Sequence, residues 1–136
     1  MYQNILVPVA LGHPEQAIDA IQVADKMKDA SGQLTVLHII EQLPTYVNSQ
    51  IPDGLISQME EDAEAGLNQV VEQCGVEVSA KVVFGHPGRS ICEYAEDHRA
   101  DCIVIASHRP GLADYLIGST AARVVRHAQC CVHVIR

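Results

Sequence analysis

The stretch Cys102-Ile103-Val104-Ile105-Ala106 runs through Ser107-His108-Arg109-Pro110-Gly111-Leu112-Ala113-Asp114-Tyr115-Leu116-Ile117 into Gly118-Ser119-Thr120. Its first five residues form a short, unbroken apolar run, which reads as a strand buried on both faces, as in a parallel sheet. Its end opens a helix from Ser119 to His127, with Ala121, Ala122, Val124 and Val125 as its apolar residues. Cys131-Val132-His133-Val134-Ile135 then reads as a closing strand.

The same strand–helix alternation extends back to the N-terminus. Ile5-Leu6-Val7-Pro8-Val9 is the first strand, and Pro14-Glu15 opens a helix whose proline sits where no N–H donor is needed. Ser31-Gly32 ends that helix, and Leu34 to Ile40 is the second strand. A polar connection from Glu41 to Gly54 precedes a helix carrying Ile56, Met59, Ala63, Leu67 and Val70 at helical spacing. Val76 to Val83 is the third strand, and Pro87-Gly88 leads into a helix with Ile91, Cys92 and Ala95 inward. Such alternation implies parallel strands with right-handed crossovers and helices on both faces. The expected fold is α/β: one doubly wound domain over residues 1–136, with no internal repeat or linker.

Composition narrows the function. With 136 residues, the chain is the size of one domain. Hydrophobic residues make up 48% and charged residues 19%, which excludes intrinsic disorder. No apolar run approaches the ~20 residues of a membrane span. No basic leader precedes the first strand, so the expected location is cytoplasmic. A net charge of −8 disfavours nucleic acid and anionic membrane as partners. Charge is uneven, however: after Cys102, Arg109, Arg123, Arg126 and Arg136 stand against Asp114 alone. A local positive field in an acidic chain suits a small anionic ligand.

The 5 cysteines are odd in number and irregularly spaced, so they are no disulfide framework. Cys92 and Cys102 read as small core residues. Cys130, Cys131 and His133 do not share one strand face, so no metal site is assigned there.

Open α/β sheets bind ligands beyond the C-terminal ends of their strands, where strand order reverses. The loops at that end are Ala10–His13, Glu41–Gly54, Phe84–Gly88 and Ser107–Ile117, of which Glu41–Gly54 and Ser107–Ile117 are far longer than the usual ~2–6 residues. Gly118-Ser119-Thr120 presents a helix N-terminus with partner-free amides, two hydroxyls and partial positive charge. A phosphate fits such a terminus, and a glycine lets it approach the backbone. Arg109 can fork onto phosphate oxygens, and Ser107 and His108 add donors. The same dipeptide also fits an ordinary helix cap.

The P-loop motif and the G-x-G-x-x-G dinucleotide motif are both missing. His38, inside the second strand, reads as a packed, hydrogen-bonded histidine. His86, in the turn Gly85-His86-Pro87-Gly88, can reach a ligand, and Tyr46 reads as a lid or surface residue. No catalytic set assembles from the spacing.

Taken together, these blocks resemble the universal stress protein family over essentially the whole chain. The match lies in Ile5–Val9, Val36-Leu37-His38-Ile39, Gly85, Ala100 to His108, and Gly118-Ser119 with Val124 to Ile135. The Ala-Ser-His-Arg-Pro loop followed by Tyr-Leu-Ile-Gly-Ser is similar to the small single-domain branch that includes universal stress protein F.

The resemblance implies a Rossmann-like five-stranded sheet of order 3-2-1-4-5. It implies a homodimer formed through the last strand, Cys131–Ile135, a stress-signalling role with a further protein partner, and binding of ATP or AMP, with Mg2+ as a possible companion. Carried over, Gly118, Ser119 and Thr120 hold phosphate. The Ile39 backbone meets adenine, Pro8, Val9 and Ala10 wall the adenine–ribose pocket, and Ala106, Ser107, His108 and Arg109 bracket the phosphates.

The chain departs from the family's nucleotide pattern where Ala106 and Arg109 replace glycines and where the loop to Gly118 is one residue shorter. Ala10 also stands where many members carry aspartate. The expected activity is binding rather than catalysis, with no catalytic or metal residues assigned. The alternatives are a universal stress protein that works by protein–protein interaction without nucleotide, and a weak ATP hydrolase.

Overall fold

In a computed structural model, residues 1–42, 52, 54–107 and 117–136 are described. The elements are β1 (Tyr2–Pro8), α1 (Pro14–Met27), β2 (Lys28–Glu41), α2 (Leu55–Cys74), β3 (Ser79–Gly85), α3 (Pro87–Asp97), β4 (Cys102–Ala106), α4 (Ser119–His127) and β5 (Cys131–Ile135). The five strands form one parallel sheet in the order β3-β2-β1-β4-β5. This is the Rossmann-like α/β arrangement that the alternation of elements implies.

Side chains alternate across each strand, so every strand feeds two cores. Ile5, Val7, Val36 and Val104 join Ala17 and Ile21 of α1 and Leu67 and Val70 of α2 on one face. Leu6, Leu37, Ile103 and Ile105 join Ile91 and Ala95 of α3 and Ala121 and Val124 of α4 on the other. Each large side chain buried there contributes about 1.5–3 kcal/mol. Strand order reverses at β1, which has β2 on one side and β4 on the other. The C-terminal ends of β1 and β4 therefore part to leave a crevice.

Several boundaries differ from the sequence reading. The first helix stops at Met27 rather than at Ser31-Gly32, and β2 begins at once with Lys28. Lys28 pairs with Tyr2, but Gln33 pairs with Asn4, so the β1–β2 register shifts between them. Gly32 sits in this irregular segment, where a Cβ would lie 2.9 Å from the Tyr2 carbonyl oxygen; only glycine fits without movement. Ser31 Oγ hydrogen-bonds Gln3 Oε1 at 3.2 Å, and Gln3 Nε2 also bonds the Asp29 carboxylate. These polar residues satisfy a bulged strand edge while carrying no strand pattern.

The third strand begins at Ser79 instead of Val76 and ends at Gly85 instead of Val83. α2 ends on Gly75 in the left-handed region (φ 65°), and Val76 and Val78 reach the core from the connection that follows. β1 starts at Tyr2 and ends at Pro8, although the Val9 N–H still donates to the Leu37 carbonyl at 2.9 Å. Tyr46 lies outside the described residues.

Candidate functional site

A cavity of about 450 Å³ opens at the C-terminal end of the sheet, within the ~300–1,000 Å³ usual for small-molecule sites. Pro8, Val9 and Ala10 from the end of β1 line it, with Leu37, His38 and Ile39 of β2. Ile105, Ala106 and Ser107 close it from β4, and Gly118, Thr120 and Ala121 from the start of α4. The strand-end walls are apolar apart from His38 and Ser107, and the helix starts add His13, Gln16 and Thr120.

Three helix N-termini converge here. Gly12 and His13 precede α1, Pro87 opens α3, and Gly118 caps α4; all four residues line the cavity. Each helix start carries partial positive charge. The three differ in what they can donate. α1 and α3 begin with proline, which removes one donor. In α3, the Arg89 N–H is also taken up by His86 Nδ1 at 3.4 Å, so His86 serves as a cap.

In α4 the first intrahelical bond comes from Ala122 N–H to the Gly118 carbonyl at 2.9 Å. The amides of Ser119, Thr120 and Ala121 lie ahead of that bond and have no intrahelical acceptor. Gly118 is buried in extended conformation (φ −61°, ψ 155°) and contributes no side-chain cap. A Cβ there would lie 3.4 Å from the Ser107 carbonyl oxygen, an ordinary contact. The end of β4 and the start of α4 therefore meet directly, although many residues separate them in the chain.

At the other end of the cavity, His38 Nδ1 lies 2.9 Å from the Val9 carbonyl oxygen. Because a carbonyl only accepts, Nδ1 carries the proton. This bond, with Val9 N–H to Leu37 O, binds the first residue past β1 to β2. Ser107 is buried, and its N–H donates to the Ile135 carbonyl at 2.9 Å. Its hydroxyl makes a longer bond, 3.4 Å, to the same oxygen. Ser107 thereby ties the cavity to the end of β5.

Of the eleven residues singled out from the sequence, Pro8, Val9, Ala10, Ile39, Ala106, Ser107, Gly118 and Thr120 line this cavity. Ser119 is exposed beside it. His108 and Arg109 lie outside the described residues. His13 and Pro87, which the sequence reading placed within the strand-end loops Ala10–His13 and Phe84–Gly88, also line it, whereas that reading missed Gln16 of α1 and Ile91 of α3. Their only sequence signal was the pair of proline-led helix starts. Among the described residues, no group of three histidine, cysteine or acidic side chains could hold a metal ion. Among them, too, no helix is long and apolar enough to cross a membrane.

Comparison with known proteins places this geometry. A model of the universal stress protein family matches residues 1–136. Universal stress protein G of Escherichia coli O157:H7 is 28% identical over 142 residues, spanning 100% of both chains. The structure of universal stress protein UspA from Lactobacillus plantarum aligns with a TM-score of 0.70 at 26% identity, covering 99% of this chain and 98% of that one. A universal stress protein in complex with cAMP aligns at 0.73, covering 99% and 97% of the two chains. The universal stress protein from Archaeoglobus fulgidus in complex with dAMP aligns at 0.65, covering 99% and 98%. Each of these two is 19% identical to this chain, so the likeness is one of fold.

Proposed function

The chain belongs to the universal stress protein family, and on that premise we propose that it binds an adenine mononucleotide, ATP or AMP, in the cavity at the ends of β1, β2 and β4. The observation that carries this reading is the α4 N-terminus, where three amides without intrahelical acceptors stand beside Gly118 at the cavity wall. Backbone donors on a helix dipole suit a phosphate. The apolar strand ends, Pro8, Val9, Leu37 and Ile39, suit a base and sugar. The cAMP and dAMP complexes of two neighbours support the reading at the level of fold.

In this reading Gly118, Ser119 and Thr120 take the phosphates. Pro8, Val9 and Ala10 wall the base and ribose, the Ile39 backbone meets adenine, and Ala106 and Ser107 flank the phosphate end. His108 and Arg109 complete the phosphate end as residues of the connecting loop. Ala10 offers the ribose no side-chain acceptor. A missing hydrogen bond of about 0.5–1.5 kcal/mol, or up to ~3 for a charged acceptor, lowers affinity by at most about two orders of magnitude.

The role is that of a binding module in a cytoplasmic stress response, not of an enzyme. Its partner surface is the edge strand β5, whose open side would pair with a second copy across a two-fold axis. Light scattering at micromolar concentration should give a dimer; a monomer would remove that part of the reading.

Calorimetry with ATP and AMP on the wild type and on Gly118→Val tests the site. The backbone at Gly118 accepts any residue, so the variant should fold while its branched side chain crowds the phosphate position. Affinity should fall about tenfold or more; equal affinity in both proteins would overturn the phosphate assignment. Ala10 favours a second reading, an interaction protein that takes no nucleotide. Mass spectrometry of small molecules released from freshly purified protein separates the two, because recovered ATP or AMP excludes the second.

A further inference from the structure

Away from the cavity, at the N-terminal edge of the sheet, Cys102 opens β4 and Cys131 opens β5, and the parallel register sets the two directly opposite each other. Neighbouring strands lie about 4.7–4.9 Å apart. That falls inside the ~4.4–6.8 Å between Cα atoms that a disulfide spans.

The two side chains also share a face. Cys102 belongs to the core layer beneath α1 and α2, and so does Ile135. Val132 and Val134 belong to the opposite layer, so strand alternation turns Cys131 to the side of Ile135 and Cys102. Tyr2 reports the same proximity. Its phenol is pushed up first by a hydrogen bond with the Cys131 thiol, then by the nearness of the Cys131 and Cys102 sulfurs. Cys102 is fully buried, whereas Cys131 is exposed. The neighbouring Cys130 faces the other layer, where Cys92 also lies.

We propose that Cys102 and Cys131 form an oxidative modification site, in which a peroxide oxidises the exposed Cys131 and Cys102 closes a disulfide onto it. In the first step the Cys131 sulfur attacks a peroxide oxygen. The O–O bond breaks, Cys131 becomes a sulfenic acid, and one water leaves. In the second step the Cys102 sulfur displaces hydroxide from the Cys131 sulfur, and the Cys102 thiol proton leaves with it as a second water. The two sulfurs together lose two electrons, and the two peroxide oxygens gain them.

The division of roles follows from accessibility. Burial pushes the Cys102 thiol up to about 11, so it is held protonated and away from solvent, and Cys131 is the thiol that meets the oxidant. A disulfide needs Cβ atoms about 3.5–4.5 Å apart, closer than side chains on adjacent strands ordinarily stand. β5 must therefore shift, which an edge strand with a single neighbour can do. Strand pairing at the β5 edge engages its backbone and leaves both thiols on the sheet face.

The test uses the full chain, reduced, desalted and then exposed to excess hydrogen peroxide. Remaining thiols are blocked and counted, and linked peptides are identified by mass spectrometry in the wild type, Cys130→Ser and Cys131→Ser. The wild type should lose two of its five thiols, yield a peptide link to Cys102, and recover both thiols with dithiothreitol. Cys130→Ser should behave the same way, and Cys131→Ser, altered at an exposed position, should keep all its remaining thiols. No thiol loss in the wild type, a link between Cys92 and Cys130, thiol loss that persists in Cys131→Ser, or an unlinked sulfinic acid at Cys131 would each overturn the proposal.

Discussion

At the N-terminal end of the sheet, the Asp101 carboxylate accepts the Gln3 N–H at 2.8 Å and the Asn4 N–H at 3.0 Å, and the Asn4 side chain donates to the His98 carbonyl at 2.7 Å. The Asp101 N–H returns a bond to the Asn4 carbonyl at 2.9 Å. At the C-terminal end, the amides that open α4 have no intrahelical acceptor, and a cavity takes the place of such a clamp. The N-terminal end closes on the Asp101 carboxylate; the C-terminal end ties its strands through His38 and Ser107 but leaves the amides that open α4 without an intrahelical acceptor. Parallel strands make this asymmetry available, because every helix that follows a strand begins at the same end.

Four substitutions or conditions probe the contrast, in falling order of effect. Ile103 is fully buried in the middle of β4, between Leu6 of β1 and Val132 of β5. Ile103→Ala should cost about 2–5 kcal/mol in a denaturant titration while leaving the affinity of the folded protein unchanged. Asp101→Ala strips two backbone amides of a charged acceptor and should cost about 2–3 kcal/mol. A loss of nucleotide affinity in this variant would show that the two ends are coupled.

Alkaline pH tests the buried thiol. The Cys102 thiol ordinarily ionises near 9.0 and is pushed up to about 11 here, first of all by burial. Below pH 9 it is protonated in both folded and unfolded states, so its contribution is fully present. Between pH 9 and 11 only the unfolded chain releases the proton, so stability falls, by at most about 3 kcal/mol in all. Denaturation curves at rising pH should fall less steeply in Cys102→Ala than in the wild type, the slope that remains coming from Cys74, Cys92 and Cys130, whose thiols burial also pushes up. The smallest effect on folding is expected of Gly118→Val: about tenfold or more in affinity, equivalent to about 1.4 kcal/mol, with an unchanged melting curve.

How legible each part was in the sequence follows from how locally its signal is written. β4, α4 and β5 were read with the bounds they have, because an unbroken apolar run, a helix start and an alternating edge strand are all local patterns. The start of β2 was not legible. Asp29, Ser31 and Gly32 carry no strand propensity and are held by Gln3 and the Tyr2 carbonyl, which are distant in sequence. The cavity divides in the same way. Gly118 and Pro8 to Ala10 stand at ends of elements that the pattern already marks. Gln16 and Ile91 join them only because two helices pack on opposite faces of one sheet.

The order of apolar and polar residues, with a few proline and glycine breaks, determined an α/β sheet with helices on both faces and marked the helix start that follows β4. Such features depend on residues within a few positions of each other, where periodicity acts directly. Only the tertiary structure decided that Ser107 reaches Ile135, that His38 is turned onto Val9, and that Cys102 faces Cys131. Those pairings are set by strand register and by which sheet face each side chain shares, and contacts of that kind exist only once the strands have come together.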